Sequence, residues 1–233
     1  MKKRSIQSAE QAYTEGTEYQ FNTPEITLGP WTSYSLVHDP KHMSFVLARY
    51  KFCAKMLEGK DTVMEIGSGD GFGLSIISAA VKKVYAADWD MRLLDGNRQR
   101  LAHLKNVEYV HVDLNKNSPR LKVDAIFMID VIEHLEPRKE KAFMRNLVRC
   151  LNPDGVLIVG TPNITASAYA TPRSQVQHIN LKSMSALKNL IEKYCKNVFM
   201  FGMNDEVVHT GYAPMCHYIW ALGAGMRNNA IKR

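Results

Sequence analysis

The sequence predicts an α/β fold: a mostly parallel sheet wound with helices on both faces, ending in an antiparallel hairpin and preceded by a cap segment. Three observations carry this. From about residue 60, short apolar strands alternate with helical stretches of roughly 10–15 residues, the pattern of a parallel sheet covered on both sides. A glycine-rich run over residues 65–73 separates the first strand from the next helix. The last two apolar stretches, Asn197 to Met203 and Cys216 to Leu222, leave no room for a helix between them and are expected to pair antiparallel at one edge.

The elements follow in order. Residues 1 to about 38 show little periodicity but hold Tyr13, Tyr19, Phe21, Trp31 and Tyr34, which suits a segment lying over the domain. Asp39-Pro40 reads as a helix start, with a capping acid and a proline in the first turn. Met43, Val46, Leu47, Tyr50, Ala54 and Leu57 continue it at helical spacing, and Gly59 closes it. Strands are expected at 62–66, 84–87, 107–112, 123–129 and 156–160, the last after the turn Asn152-Pro153-Asp154-Gly155. Helices are expected over about 72–80, 90–104, 137–151 and 183–194. No internal repeat is visible. The chain divides into a cap segment and helix (1–60), the sheet domain (61–223) and a polar tail (224–233).

Composition narrows the function classes. With 233 residues, 45% hydrophobic and 23% charged, the chain has the make-up of a globular domain. Cys53, Cys150, Cys195 and Cys216 are scattered without a CxxC pair, so neither a zinc knuckle nor a redox motif is indicated, and a reducing compartment is expected. The start Met-Lys-Lys-Arg is not followed by an apolar stretch, and no run approaches the roughly 20 residues of a membrane span. The expectation is a cytoplasmic protein. The net charge of +7 favours anionic partners, but the basic residues are dispersed, so it reads first as a solvated surface with a basic bias, then as an anionic small substrate with which a phosphorylated acceptor is compatible, and last as nucleic acid.

The chemistry centres on Glu65-Ile66-Gly67-Ser68-Gly69-Asp70-Gly71-Phe72-Gly73. Glycines there let the backbone turn sharply and approach a ligand. Asp88 ends the next strand, at the spacing of an acid that accepts both ribose hydroxyls of an adenosine cofactor. Two cofactor classes remain on this ground: a nicotinamide dinucleotide or S-adenosylmethionine.

With these residues the chain resembles the class I S-adenosylmethionine-dependent methyltransferases over roughly residues 42–222. Glu65-Ile-Gly-Ser-Gly-Asp-Gly is similar to the family's E/D-x-G-x-G-x-G signature and Ala-Ala-Asp88 to its ribose-binding acid. His111-Val-Asp113-Leu114 resembles the segment bracketing adenine, with Asp113 at the exocyclic amine. Asp124 to Leu135 resembles the fourth strand and its loop, and Asn152-Pro-Asp-Gly-Val-Leu-Ile-Val the fifth-strand turn. Arg49-Tyr50-Lys51-Phe52 is similar to a sequence preceding the glycine motif in methyltransferases found near polysaccharide-modifying enzymes.

The resemblance implies a Rossmann-like doubly wound fold with S-adenosylmethionine as cofactor. It implies cofactor contacts at Glu65, Gly67, Ser68, Gly69, Gly71, Asp88, Trp89, Asp113, Leu114, Ile129 and Asp130. Glu65 and Asp70 suit a sulfonium cation better than a pyrophosphate. The implied reaction is methyl transfer to a small molecule, a hydroxyl or amine of a sugar or sugar nucleotide. An RNA or protein acceptor, a non-catalytic cofactor-binding subunit and a nicotinamide oxidoreductase are the rival readings.

Acceptor groups are expected in loops beyond the carboxyl ends of the strands. His134, His178 and His209 are the histidines there able to take a hydroxyl proton. Asn163 suits a sugar hydroxyl or a turn, Asn204, Asp205 and Glu206 suit substrate contact, and His217 suits the core. No His/Cys/Asp/Glu set has metal-ligand spacing in the sequence, and no metal is assigned.

Overall fold

The computed structural model describes residues 8–227. Eight strands form one sheet: β1 (Thr62–Ile66), β2 (Lys83–Asp88), β3 (Val107–His111), β4 (Val123–Ile129), β5 (Leu151–Pro162), β6 (Cys195–Asn204), β7 (Val207–His209) and β8 (Tyr218–Met226). Their spatial order is β3-β2-β1-β4-β5-β8-β6-β7. The first five are parallel, and β8 runs antiparallel to both β5 and β6. The chain builds outward from β1 to β3 and then returns to place β4 against β1. That reversal makes the carboxyl edge of β1 and β4 the crevice of the sheet.

Strand alternation sends side chains to two cores. Met64, Ile126, Met128 and Leu157 face one side with Phe143 and Leu147 of α6 (Pro137–Val148) and Leu187 and Ile191 of α8 (Met184–Ile191). Val63, Phe127, Ile158 and Trp220 face the other with Cys53 and Leu57 of α3 (Pro40–Leu57) and Leu74 and Ile77 of α4 (Leu74–Ala80). Consecutive residues such as Val63 and Met64 therefore serve opposite layers. α5 (Met91–Arg100) links β2 to β3 and is capped by the Asp90 side chain, which accepts from the Arg92 N–H.

Several expectations change in detail. Residues 8–38 are not a structureless cover: they form α1 (Ala9–Phe21) and α2 (Pro30–His38). α1 buries nothing, and Tyr13, Tyr19 and Phe21 are exposed, so only α2 packs on the domain. Neither helix carries a clear apolar stripe, which is why periodicity missed them. The turn at 152–155 lies within β5 as a bulge: Leu151 pairs with Val123 and Val156 with Ala125, and Asn152 donates to Asp124 at 2.8 Å.

The two final apolar stretches pair antiparallel at one end of the sheet as expected, β6 against β8. Within that end β8 lies between β5 and β6, and the short β7, which was not expected, takes the edge. β8 continues through Met226, so Ala224–Met226 belong to the sheet and not to a tail. Arg227 is tied down through Nε to the carbonyls of Glu192 and Cys195. Residues 228–233 of the expected tail lie outside the described residues. His217 is exposed in the bend just before β8 and is not a core residue, because the strand begins only at Tyr218. All four cysteines are buried and unpaired. Among the described residues no helix is long and apolar enough to cross a membrane.

Candidate active site

The glycine loop leaves β1 in left-handed conformations: φ is +74° at Gly67, +54° at Gly69 and +75° at Gly71. A side chain at Gly67 would also collide with Val131, with its Cβ 2.5 Å from Cγ2. Asp88, at the end of β2, holds the loop from below. Its Oδ2 accepts from the Gly69 N–H at 2.9 Å and its Oδ1 from the Asp90 N–H at 2.9 Å. Asn97 of α5 completes the clamp by donating to the Gly69 carbonyl at 2.8 Å. The loop is thus fixed on one side by β2 and α5 and open on the other.

Two acids in the motif have different fates. Glu65 is fully buried, and its Oε1 accepts from the Tyr50 hydroxyl at 2.6 Å. Burial pushes its carboxyl up to about 8; the Tyr50 bond opposes this and the charge of Asp88 adds to it. Asp70, expected to face a sulfonium, instead spends both oxygens on α2. It accepts from the Thr32 N–H at 2.7 Å and the Thr32 hydroxyl at 2.9 Å. Trp31 accordingly lies over Gly69, where an added Cβ would come 2.9 Å from the indole.

At the end of β4 the backbone is strained. Asp130 is a non-glycine residue at φ +55°. Its Oδ2 accepts from Arg49 Nη1 at 2.6 Å, and the Arg49 guanidinium sits 3.9 Å above the Tyr218 ring. Arg49 of α3 is largely withdrawn from solvent, a charge that sequence reading did not place in the site because a lone arginine on a helix normally faces solvent. Among the described residues six buried polar atoms at this edge have no hydrogen-bond partner: Arg49 Nε, Glu65 Oε2, Ser68 Oγ, Asp130 Oδ1, Glu133 Oε1 and the Tyr218 hydroxyl.

Three residues later a 3₁₀ turn, Ile132–His134, points Glu133 inward and His134 outward. Glu133 Oε2 accepts from the Thr161 hydroxyl at 2.9 Å. Burial, and then the charge of Asp130, raises its carboxyl well above the ordinary range. The loop after α7 (Pro172–Gln177) folds onto this turn, because the Asn180 N–H donates to the Glu133 carbonyl at 2.9 Å. That brings His178 beside His134, with ring centroids 5.0 Å apart and edge-on. His134 Nδ1 meets the Gln177 carbonyl at 3.2 Å. A carbonyl only accepts, so Nδ1 carries the proton and Nε2 the lone pair. Burial lowers the His178 imidazole, neighbouring His134 lowers it further, and Asp130 partly offsets both. One ligand atom each from Glu133, His134 and His178 lies within 4.8 Å of the others. His134 and His178 come from loops far apart in the chain, so no spacing rule could bring them together.

The other expected residues are distributed as follows. Asp113 and Leu114 follow β3; Asp113 accepts from the Asn115 backbone N–H at 3.0 Å and pairs with Lys116, which together outweigh burial and hold its carboxyl below the ordinary range. Trp89 is exposed beside Asp88, and Ile129 is buried at the end of β4. His209 does not join the other two histidines. Its Nδ1 accepts from the Gly211 N–H at 2.9 Å and its Nε2 meets Asn204 Oδ1 at 2.8 Å, so both nitrogens are used within its own hairpin. Asn163 is buried and donates to the Ala213 and Cys216 carbonyls, which makes it a loop clamp and not a sugar contact. Asn204 donates to the Met215 carbonyl and Glu206 accepts from Ser44.

Comparison with known proteins agrees with this architecture. Residues 64–157 match a family model described as a methyltransferase domain. A probable S-adenosylmethionine-dependent methyltransferase of Mycolicibacterium smegmatis is 31% identical over 120 residues, 49% of this chain and 42% of that protein. The chain thus spans less than half the length of this curated relative. The N-methyltransferase NodS of Bradyrhizobium japonicum, solved with S-adenosyl-L-homocysteine, superposes with a TM-score of 0.59 at 17% identity over 91% of this chain and 97% of that one. An S-adenosylmethionine-dependent methyltransferase of Aquifex aeolicus gives 0.61 at 22% identity over 82% and 96%. With the glycine loop, the β2 acid and the inserted antiparallel β8 in place, the chain has the fold of S-adenosylmethionine-dependent methyltransferases and is similar over residues 64–157 to a methyltransferase domain.

Proposed function

We propose that the chain binds S-adenosylmethionine at the β1/β4 edge and transfers its methyl group to a hydroxyl or amine of a small molecule of the sugar or sugar-nucleotide class. The observation that carries this reading is the set of partnerless buried atoms Arg49 Nε, Glu65 Oε2, Ser68 Oγ and Asp130 Oδ1. Each such atom costs about 1–3 kcal/mol when left unpaired, so four at one edge call for a polar ligand. The surrounding acids, Glu65, Asp88 and Asp130, suit a cofactor bearing sulfonium and ammonium charges and no pyrophosphate.

In this reading Asp88 holds the ribose, and the backbone of Gly67, Ser68, Gly69 and Gly71 lines the cofactor. Trp89, Asp113 and Leu114 flank adenine, while Ile129, Asp130 and Arg49 meet the methionine end. Residues 61–223 act as the methyltransferase domain, with the N-terminal helices as its cap. When bound, the cofactor supplies an electrophilic methyl group: the C–S bond breaks as the bond to the acceptor forms, and the electron pair stays on sulfur. The chain's own work is alignment, which contributes several kcal/mol, and removal of the acceptor proton at the His134–His178 pair. Exposed Tyr169 and Tyr212 flank the same end of the sheet and offer flat apolar faces of the kind sugars stack on.

Thermal shift with S-adenosylhomocysteine against NAD tests the cofactor, and stabilisation by NAD alone would overturn it. Sugar nucleotides screened with tritiated S-adenosylmethionine test the acceptor. On the acceptor so found, His178→Ala and His134→Ala should each lower kcat at least tenfold with cofactor affinity unchanged.

A further inference from the structure

We infer that Glu133, His134 and His178 form a binding site for a divalent first-row transition-metal cation. The three residues offer two imidazole nitrogens and one carboxylate oxygen, mutually within 4.8 Å. Nitrogen and oxygen ligands at about 2.0–2.2 Å from one ion stand about 3–4 Å apart, within reach of small side-chain movements here. Imidazole with carboxylate is a ligand set for manganese, iron, cobalt or zinc rather than calcium.

Three further features fit a cation. Glu133 is completely buried, and its Oε1 has no partner, a costly arrangement that a cation would satisfy. Its other oxygen is oriented by Thr161, as outer groups commonly orient a ligating carboxylate. His134 donates through Nδ1 to the Gln177 carbonyl, which leaves Nε2 as the ligating nitrogen and fixes the ring. The two imidazoles are solvent-facing while Glu133 lies beneath them, so a cation on this tripod keeps open positions toward solvent. A hydroxyl of the acceptor could occupy one of them.

The cation site does not depend on which cofactor binds; it deepens only the proton step of the proposed transfer. A metal-bound hydroxyl loses its proton to solvent at much lower pH than a free one. With the ion bound the two histidines hold it and the proton leaves from the metal-bound hydroxyl to solvent; without it they take the proton directly, as in the proposed transfer.

The test is titration of the full chain, stripped with chelator, with cobalt(II) followed by visible absorption and with manganese(II) by calorimetry. One equivalent is expected, with cobalt ligand-field bands that report imidazole coordination. His178→Ala, His134→Ala and Glu133→Gln should each weaken binding at least tenfold, and S-adenosylhomocysteine stabilisation in the same variants should persist as proof of folding. His178→Ala is the decisive variant because its ring is only half-buried in a surface loop. Absence of cation binding, or binding undiminished in His178→Ala, overturns the site. Cation binding without S-adenosylhomocysteine binding would support the site while removing the cofactor reading.

Discussion

Asp70 of the glycine loop braces the first turn of α2 at Thr32, 38 residues earlier in the chain: it accepts both the backbone N–H and the hydroxyl of Thr32. The bonds are buried and charge-assisted, and the carboxylate faces the positive end of α2. Gly29 sits so close that an added Cβ would lie 2.3 Å from the Asp70 Cβ. α2 is therefore coupled to the glycine loop through Asp70, beside the Trp31 contact with Gly69.

Breaking that coupling should free α2 while the sheet stays folded. Asp70→Ala removes two charge-assisted bonds, each about 1.5–3 kcal/mol. Hydrogen exchange should then rise sharply over residues 24–38 and little in β1 or β4. Unchanged protection of α2 would show that Trp31 packing, not Asp70, retains it.

Asp88→Ala is expected to weaken S-adenosylmethionine binding at least tenfold by calorimetry, with the circular dichroism spectrum preserved. Two losses combine: the ribose contacts assigned to this acid, and the Gly69 N–H bond that shapes the loop. Asp88→Asn keeps an acceptor for that N–H and should fall between Ala and the parent chain.

Gly69→Val should abolish cofactor binding without unfolding the domain. At φ +54° a β-branched residue is strained, and its Cβ would press on the Trp31 ring. The indole is largely exposed and can move aside, so the fold survives while the cap is displaced. Retained binding in this variant would count against the placement of the cofactor at the loop.

Glu65 gives a pH-dependent outcome. An ordinary glutamate loses its proton near pH 4.5, whereas folded Glu65 keeps its own to about 8. Between those values the native state binds more protons than the unfolded chain. The stabilisation from this group is complete below about pH 4.5 and is lost as pH rises through about 8. The slope in that window approaches about 1.4 kcal/mol per pH unit for one proton. Glu65→Gln should flatten it in chemical-denaturation curves. A cationic cofactor beside Glu65 favours the carboxylate, so binding at pH 7 should release up to one proton, read from calorimetry in buffers of differing ionisation heat. Equal apparent heats in all buffers would place the cationic centre elsewhere.

The strand and helix order from Thr62 to Ile191, the glycine loop and the Asp88 partner are local properties. They depend on periods of two and 3.6 residues, on glycine's freedom at positive φ, and on the short spacing between adjacent strands, all visible in one dimension. The sites of Arg49, Glu133 and the His134–His178 pair are not of this kind. Arg49 is an ordinary helix residue until α3 packs against β4 and sets it, half-buried, against Asp130. His178 is one histidine in a polar loop until Asn180 pins that loop to Glu133. His209 carries the same residue type at the same end of the sheet, yet its hairpin consumes both nitrogens. Burial, partner supply and long-range loop docking are set by contacts between distant segments, so the sequence by itself determined the fold class and the glycine loop. Only the tertiary structure decided which charges are buried, which histidines meet and which carboxylate oxygens are left without a partner.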